Sequence, residues 1–427
     1  MKYDVKSLGM SLLFSLGVLA TFGQSPKAIP VQVKKSEAGF TMERGGKPYF
    51  VKGAGGTAKM KELQAYGGNS IRTWNTRNAD KVLSNANTLG LTVTMGLDVA
   101  RERHGFNYDD AVAVKKQLDR LREEVNKYKN YPALLAWGIG NELNLDYKNP
   151  NVWNVVNDIA RMIHEVDPNH PATTMLAGIN RREINYIKER CPDLDFISVQ
   201  VYGGLAKVPE QLESSGWKGA YLVTEWGPTG HWECPKTPWG APIEETSSQK
   251  AAVYKSRYEA SIAKDKTCLG SYVFLWGQKQ ERTPTWYGLF TEAGEESEVV
   301  DVMQYEWSGN WPKNKAPHMN SFSLAGKTMP DAVYLTAGED YTALVSVHDA
   351  DGDSLTARWE LLPEATDLGQ GGDKESRPQP ITGLLKPASL EKAVLKAPAK
   401  SGAYRLFVYV SDQHNNVATA NIPFFVK

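Results

Sequence analysis

Cysteine is scarce in this sequence, with only Cys191, Cys234 and Cys268 among 427 residues. Three cysteines cannot form a disulfide framework for a chain of this length. A hydrophobic core must therefore stabilise the fold. One disulfide bridge and three free buried thiols both remain open. A surplus of positive charge is also lacking, because 49 Lys and Arg balance 49 Asp and Glu. Nucleic acids and anionic membranes attract basic proteins, so this balance argues against both partners.

Long apolar runs are few, and the clearest one lies at the N-terminus. Lysines precede an apolar stretch from Leu8 to Leu19, and small residues follow up to Gly23. This order predicts a secretory signal peptide over residues 1–24. Serines interrupt the stretch, so it is short for a transmembrane anchor. The sequence therefore predicts an exported protein, periplasmic, cell-surface or secreted, that does not insert into a membrane after signal cleavage.

What the sequence does contain is a regular alternation of short apolar runs with longer amphipathic stretches. The segments Val31–Lys34 and Phe40–Arg44 alternate apolar and polar residues, and with the Gly45-Gly46 turn they predict an N-terminal hairpin. The apolar runs that follow predict eight strands, at Tyr49–Gly53, Ser70–Trp74, Thr92–Leu97, Leu134–Gly140, Ala172–Met175, Phe196–Val201, Tyr221–Thr224 and Leu269–Leu275. Strands that alternate with helices specify a parallel sheet, and eight such units predict a (β/α)8 TIM barrel over residues 25–314. No glycine-rich phosphate fingerprint follows the first strand, which disfavours a dinucleotide-binding fold.

The sequence pattern changes after the predicted barrel. Residues 315–427 contain apolar runs such as Tyr341–Val347, Leu355–Trp359 and Tyr404–Val410, separated by Gly, Pro, Asp and Asn. This pattern predicts a C-terminal immunoglobulin-like β-sandwich. Within it, the glycine- and proline-rich segment Asp367–Pro380 is expected to be a mobile loop.

Two carboxylates end predicted barrel strands. Glu142 follows the apolar run that begins at Leu134 on the fourth strand, and Glu225 ends the run that begins at Tyr221 on the seventh strand. The spacing of 83 residues is close to three βα units of about 31 residues each. Functional side chains of such barrels lie at the C-terminal strand ends, so both carboxylates are expected at one mouth.

A pair of this kind can cleave a glycosidic bond. One carboxylate attacks the anomeric carbon while the other carboxyl group gives a proton to the departing oxygen. A separation of roughly 5–5.5 Å leads to retention of configuration, and roughly 6.5–9.5 Å leads to inversion. A single glutamate after a strand is usually a loop residue or a helix cap, so the pairing carries the hypothesis.

Three motifs resemble the clan of retaining (β/α)8 glycoside hydrolases: Asn141-Glu142, Thr224-Glu225-Trp226, and Asp167-Pro168-Asn169-His170-Pro171. The resemblance covers roughly residues 30–312 and is strongest to glycoside hydrolase family 158 and to family 2-like barrels. It implies that Glu142 is the general acid/base and Glu225 the nucleophile. Family 158 further implies a β-1,3-glucan substrate of the laminarin type. The large N-terminal sandwich domains of full-length family 2 enzymes are not recognised here, which puts an exo-acting galactosidase or glucuronidase in doubt.

The resemblance also implies roles for other positions. Arg72 is expected to bind the nucleophile, Asn141 the sugar 2-hydroxyl, and Tyr202 the Glu225 carboxylate. Trp276 is expected to stack on the sugar ring. The complete set of predicted substrate-binding residues is Arg72, Trp74, Asn141, Tyr202, Trp226, Trp276, Arg103, His104 and Trp286. Each has an ordinary alternative, such as a rim ion pair, a helix cap or core packing.

The aromatic residues on the predicted strand-to-helix loops favour a long groove, which suits internal attack on a polysaccharide. We therefore expect a retaining endo-β-1,3-glucanase that binds polysaccharide or oligosaccharide. Alternatives are a glycosidase for mannan, mixed-linkage glucan or galactosides, and a non-catalytic glycan-binding barrel. No cofactor or catalytic metal is expected. His231 and Cys234 lack a second pair of zinc ligands, and the acidic turn Asp349–Asp353 leaves structural calcium open. The oligomeric state is open.

Overall fold

The computed structural model describes Met1, residues 27–37 and residues 39–427. Apart from Met1, the predicted signal peptide over residues 1–24 lies outside the described residues. Within the described ranges, no helix combines the length and the apolar character needed to cross a bilayer. The structure contains a closed barrel followed by antiparallel sheets, which confirms the predicted fold class.

A three-stranded antiparallel sheet precedes the barrel and consists of β1 (Val31–Ser36), β2 (Gly39–Arg44) and β3 (Lys47–Tyr49). The β2–β3 turn requires positive φ, which glycine supplies at 58° for Gly45 and 76° for Gly46. Apolar side chains of this sheet pack against residues at the beginnings of the barrel strands. The sheet therefore closes the end of the barrel opposite to the C-terminal strand ends.

Eight parallel strands form the barrel: β4 (Val51–Gly55), β5 (Ser70–Arg72), β6 (Thr92–Leu97), β7 (Leu134–Ile139), β8 (Ala172–Ala177), β9 (Phe196–Gln200), β10 (Tyr221–Trp226) and β11 (Cys268–Val273). They pair in chain order, and β11 closes the barrel against β4. Every boundary lies within two residues of its predicted strand. The strands are almost entirely buried, as expected when both faces of a parallel sheet are covered.

The surrounding helices are α1 (Met60–Ala65), α2 (Ala79–Thr88), α3 (Ala111–Tyr128), α4 (Asn151–Val166), α5 (Arg181–Arg190), α6 (Val208–Ser214), α7 (Ser247–Arg257) and α8 (Glu298–Ser308). Short 3₁₀ turns occur at Glu102–His104 and Leu205–Lys207, and a π turn at Tyr258–Ile262. Helix α3 begins where the Asp110 carboxylate caps two free backbone N–H groups. Its buried face contains Leu121 and Val125, four residues apart, which explains the helical periodicity.

The C-terminal region is a two-sheet sandwich whose strands are β13 (His318–Leu324), β14 (Val333–Leu335), β15 (Asp340–His348), β16 (Thr356–Pro363), β17 (Leu385–Pro387), β18 (Lys392–Lys396), β19 (Gly402–Ser411) and β20 (Asn416–Val426). One sheet has the order β13-β15-β18-β17, and the other contains β20, β19 and β16 with β14 beside β20. Side chains of both sheets share one hydrophobic core. The predicted domain boundary after residue 314 lies between the end of α8 and the start of β13.

The sandwich is fixed to the barrel. A short strand that directly precedes α8, β12 (Glu296–Ser297), pairs in parallel with β20 and so extends the sandwich sheet. Trp239, in the loop after β10, packs against Tyr334 and Phe425 of the sandwich. Backbone hydrogen-bond donors of Met319 and Thr419 reach hydroxyl groups at the start of α7. The three cysteines are free thiols, so the core and this interface hold the fold without a disulfide bridge.

Candidate active site

Two glutamates lie at the C-terminal mouth of the barrel. Glu225 is the fifth residue of β10, and Glu142 follows β7 in a turn where its own φ is 53°. A left-handed conformation at a non-glycine residue is costly and occurs where the surrounding structure holds it in place. Here the backbone N–H of Glu142 donates to the Met175 carbonyl at 3.0 Å. Both glutamates line one cavity of about 360 Å³, within the size range of small-molecule sites.

Three hydrogen-bond donors converge on the carboxylate of Glu225. Arg72 Nη1 donates to Oε1 at 2.7 Å, and Trp74 Nε1 donates to the same oxygen at 2.8 Å. Tyr202 donates to Oε2 at 3.2 Å. Burial, and next the negative charge of Glu225, raise the pKa of Tyr202 well above its usual value, so its hydroxyl keeps its proton. An ionised carboxylate is an acceptor only and matches this set of donors.

The carboxyl group of Glu142 lies in a different environment. Burial raises its pKa to about 8, with a further contribution from the charge of Glu225. The nearby guanidinium groups of Arg103, Arg72 and Arg101 oppose this increase without cancelling it. At neutral pH Glu142 therefore keeps its proton while Glu225 faces a buried arginine. Two carboxyl groups in contrasting environments are what acid-assisted displacement at one carbon requires.

Asn141 and Gln200 connect the two glutamates to the same arginine. The Asn141 side-chain oxygen accepts from Arg72, and its backbone oxygen accepts from Arg101 Nε at 3.0 Å. Gln200 Nε2 donates to the same Asn141 side-chain oxygen at 2.8 Å, and the other end of the Gln200 amide lies 2.6 Å from Oε1 of Glu142. Gln200 was not predicted as a site residue. Gln200 is the last residue of β9, and a polar residue at the end of an apolar strand is the sequence feature that could have identified it as a site residue.

The structure brings four of the predicted substrate-binding residues to the glutamate pair. Arg72, Trp74 and Tyr202 contact Glu225 directly, and Asn141 lies beside Glu142. A second aromatic surface comes from Phe274 and Trp232, which also line the cavity. Trp232 is 54% exposed and packs edge-on against Tyr202 at 5.4 Å.

Three predicted sugar-binding tryptophans do not line the cavity, and their assignment is corrected. Trp226 is 0% exposed and packs against aromatic rings at α7 and the π turn, because side chains on a strand alternate and its neighbour Glu225 faces the mouth. Trp276 is 1% exposed, and its indole donates to the Lys59 carbonyl at 2.9 Å. Trp286 is 2% exposed, and its indole donates to the Thr229 carbonyl at 3.0 Å. These side chains form core contacts behind the site.

Arg103 and His104 also differ from the prediction, since neither lines the cavity. Asp373 of the sandwich lies 3.9 Å from Arg103 and 3.4 Å from His104. Both side chains therefore contact the segment Asp367–Glu375, called the sandwich loop below. The sequence did not predict that this loop is part of the site. Its glycine-rich composition indicates a turn but does not indicate which residues the turn contacts.

Other charged groups at the cavity were also missed. Lys279 and Glu281 follow β11 and form an ion pair at 2.6 Å. Burial alone would raise the pKa of Glu281, but the hydrogen bond from His231 and the charge of Lys279 outweigh it, and the pKa lies below its usual value. His231 thus contacts a carboxylate, while the thiol of Cys234 donates to the His231 carbonyl. This pair does not form a zinc site among the described residues.

Within the described part of the chain, carboxylate groups that could share a cation come together in one place, formed by Asp349, Asp353 and Asp412 in the sandwich. Asp349 already accepts from the backbone N–H groups of Asp351 and Asp353. These bonds stabilise the turn itself, which accounts for an acidic residue at this position without a bound cation. The cluster is far along the chain from the glutamate pair and does not line its cavity.

Solved structures with similar folds include β-glucuronidases. The Bacteroides uniformis enzyme has a TM-score of 0.51 and 14% identity, covering 93% of this chain and 48% of that one. The Ruminococcus gnavus enzyme has a TM-score of 0.52 and 15% identity, covering 66% and 53%. The Lactobacillus rhamnosus enzyme has a TM-score of 0.52 and 18% identity, covering 65% and 52%. The chain thus spans about half the length of these structures, and identities this low show the fold alone.

No curated protein matches the chain. The family described as "Glycosyl hydrolases family 2, TIM barrel domain" matches residues 60–312, which is more than half of the chain. The match supports the family 2 part of the expected resemblance and gives no support to family 158. The matched range contains the barrel strands β5–β11 and both glutamates. The chain therefore belongs to glycosyl hydrolase family 2, through its TIM barrel domain.

Proposed function

We propose that this protein is a retaining β-glycoside hydrolase in which Glu225 is the nucleophile and Glu142 the general acid/base. The observation that carries the proposal is the contrast between two carboxyl groups in one cavity. Glu225 is held by a buried arginine and two further donors, whereas Glu142 has a pKa raised to about 8. Retaining glycosidases require one ionised and one protonated carboxyl group at the same sugar.

In the first step, Oε2 of Glu225 attacks the anomeric carbon. This oxygen accepts only the 3.2 Å bond from Tyr202, whereas Oε1 accepts from both Arg72 and Trp74. The bond from the anomeric carbon to the leaving oxygen breaks, and its electron pair stays with that oxygen. The Glu142 carboxyl group gives its proton to the same oxygen, so the leaving group departs neutral. The product is a glycosyl ester of Glu225.

In the second step, the now ionised Glu142 takes a proton from a water molecule. The water oxygen attacks the anomeric carbon, and the ester bond to Glu225 breaks with its electron pair returning to the carboxylate. Arg72, Trp74 and Tyr202 stabilise that returning charge because their donors already point at it. Two inversions at one carbon give net retention, and the protein ends in its starting protonation state.

The substrate in this proposal is a β-glycoside of a neutral sugar. Three cations at the mouth are already paired with carboxylates of the chain, in the pairs Arg72–Glu225, Lys279–Glu281 and Arg282–Glu375. A uronic acid bound to any of these three would leave a carboxylate unpaired, which is costly in a buried site. Arg101, which also lines the cavity and donates to the Asn141 carbonyl, is the cation left to receive an acidic sugar, so the substrate panel includes glucuronides. β-1,3-glucan is one neutral substrate among several, and the family match does not favour it over the other linkages. Export through the predicted signal peptide belongs to the same proposal.

The test is a panel of nitrophenyl β-glycosides and oligosaccharides that includes glucosides, galactosides, mannosides, laminarin fragments and glucuronides. We expect hydrolysis of a neutral glycoside with retention, observed by NMR as the first anomer released. Glu225→Ala should lose turnover and regain it with azide, giving the glycosyl azide of opposite configuration. Glu142→Ala with azide should give the azide of the same configuration as the substrate.

Each part of the proposal fails on a different outcome. Inverted product would remove the nucleophile role of Glu225. Exclusive activity on glucuronides would remove the neutral-sugar assignment and favour the activity that the names of the similar solved structures describe. Oligosaccharide binding without turnover by the wild-type protein would favour a glycan-binding barrel.

A further inference from the structure

The sandwich loop, Asp367–Glu375, reaches the barrel mouth from the C-terminal region. Gly371, Gly372 and Asp373 line the cavity that contains Glu225. Residues 369–371 line a second cavity of about 480 Å³, and Glu142 lines both cavities. The tip of the loop thus lies where the two cavities meet, together with Tyr202 and Trp232.

One side of the loop is anchored to the segment after β11. Lys279 Nζ donates to the Gly372 carbonyl at 2.8 Å. The buried carboxylate of Glu375 accepts from the backbone N–H of Arg282 at 2.6 Å and pairs with its guanidinium at 3.1 Å. It also accepts from the backbone N–H of Gly369 at 2.9 Å, which fixes the base of the loop.

The other side of the loop contacts the segments after β6 and β7. Asp373 lies beside Arg103 and His104, and the Gln370 side chain donates to Asp146. The loop therefore spans the mouth between the segment after β11 and the segments after β6 and β7. A groove that is open at both ends, as the sequence suggested, does not cross the mouth at this place.

The chemistry assigns a different role to each cavity, and this step rests on the proposed function. The cavity with Glu225 holds the sugar whose anomeric carbon is attacked. The second cavity contains Glu142 and lacks Glu225, so it lies on the side where the proton is delivered to the leaving group. Its polar lining by Gln200, His231 and Glu233, beside the exposed ring of Trp232, suits a sugar leaving group.

We propose that the sandwich loop is the specificity-determining element that restricts this enzyme to chain ends. Gly372 and Asp373 close the Glu225 cavity, so only the terminal, non-reducing sugar of a chain fits there, and the remainder extends through the second cavity as the leaving group. The substrate class is a short oligosaccharide, or a chain end, of a neutral β-linked sugar. Internal attack would require the chain to pass the loop.

The tip of the loop can be removed with little change elsewhere. A Cβ on Gly369 would lie 2.8 Å from the Asp373 carbonyl oxygen, so the two ends of the tip are already in contact. Deletion of residues 370–372 should therefore close without moving the anchor at Glu375. Asp373→Ala is a second variant that keeps the chain length and removes the contacts with Arg103 and His104. Lys374→Ala is the matched control, because Lys374 is exposed and lines neither cavity.

The experiment follows the early products and kcat/KM on a disaccharide-to-hexasaccharide series of the neutral sugar most active in the panel. Wild type and Lys374→Ala should release monosaccharide first. The deletion variant should release longer fragments, with the hexasaccharide-to-disaccharide ratio of kcat/KM raised about tenfold, and Asp373→Ala should raise it about threefold.

An unchanged ratio in either folded variant would overturn the proposal. Longer fragments as the first products of wild type would overturn it as well. Absence of any glycoside hydrolysis by wild type would instead contradict the proposed function, so the two failures are distinguishable.

Discussion

At the scale of single residues, the site depends on two glutamates with opposite surroundings. Glu225 receives three donors, while Glu142 sits in a strained turn and shares its cavity with a second negative charge. The proton on Glu142 is therefore a consequence of burial and repulsion, and both can be examined by substitution.

Glu142→Gln should remove proton delivery and leave the nucleophile intact. The amide cannot protonate a departing oxygen, so kcat/KM should fall by roughly 10²–10⁴-fold for a sugar leaving group. A dinitrophenyl leaving group needs no proton and should be affected much less. Steady-state kinetics on the two substrates measure this difference. An equal loss on both would contradict a role in proton transfer.

The alkaline side of the pH profile should report Glu142. General acid catalysis needs the protonated carboxyl group, which is present below a pKa of about 8 and lost above it. We therefore expect kcat/KM to fall as the pH rises through about 8, by roughly tenfold per unit beyond it. In Glu142→Gln this decline should disappear. A decline that persists unchanged in the variant would have to come from another group.

At the scale of elements, the loop after β10 is held by a buried charge network. Glu244 pairs with Lys250 at 2.6 Å and accepts from Thr283, Thr285 and Asn421. Burial acts to raise its pKa, but the charge of Lys250 and these donors outweigh it, and the pKa lies below its usual value. The network joins α7, the segment after β11 and the sandwich strand β20.

Glu244→Gln should destabilise the protein by about 3–5 kcal/mol, because it leaves Lys250 buried without its counter-ion. Asp119→Asn is the matched control. It breaks the exposed i,i+4 pair with Lys115 and should change the free energy of unfolding by less than about 0.5 kcal/mol. Urea denaturation measures both values. Equal small changes would mean that the buried network does not hold the loop.

At the scale of the whole molecule, the barrel and the sandwich form one continuous structure. Strand β12, which directly precedes the barrel helix α8, belongs to a sandwich sheet, and Arg405 of the sandwich donates to the Pro242 carbonyl at 2.8 Å. The sandwich loop adds a second connection at the mouth. Separation of the two parts would break all of these contacts together.

We therefore expect the two parts to unfold in a single transition. Eleven of the 12 tryptophans lie outside the sandwich, so tryptophan fluorescence reports mainly the barrel, whereas far-UV circular dichroism also reports the sandwich strands. Urea curves from both probes should superimpose. Asn421→Ala, which removes a bond to Glu244, should move the common midpoint to lower urea. Separate midpoints in the wild-type protein would show that the interface is weak.

Much of the barrel was determined by local sequence. Apolar runs of strand length that alternate with amphipathic segments specify buried parallel strands. Because this pattern is local, the bounds of each predicted strand lie within two residues of the observed ones. The positions of the two carboxylates were predictable in the same way, because they end predicted strands. The burial of Trp226 was predictable too, because side chains alternate along β10 and Trp226 therefore points away from the side on which Glu225 lies.

Only the tertiary structure decided what covers the mouth. Trp276 and Trp286 follow β11 in irregular backbone, where no periodicity indicates a direction, and they pack behind the cavity. The sandwich loop lies far along the chain from both glutamates and reaches the mouth through a hydrogen bond from Lys279 and ion pairs with Arg282 and Arg103. Local periodicity encodes which face of an element is buried. Contacts between distant segments depend on how whole elements pack, and no local pattern encodes that.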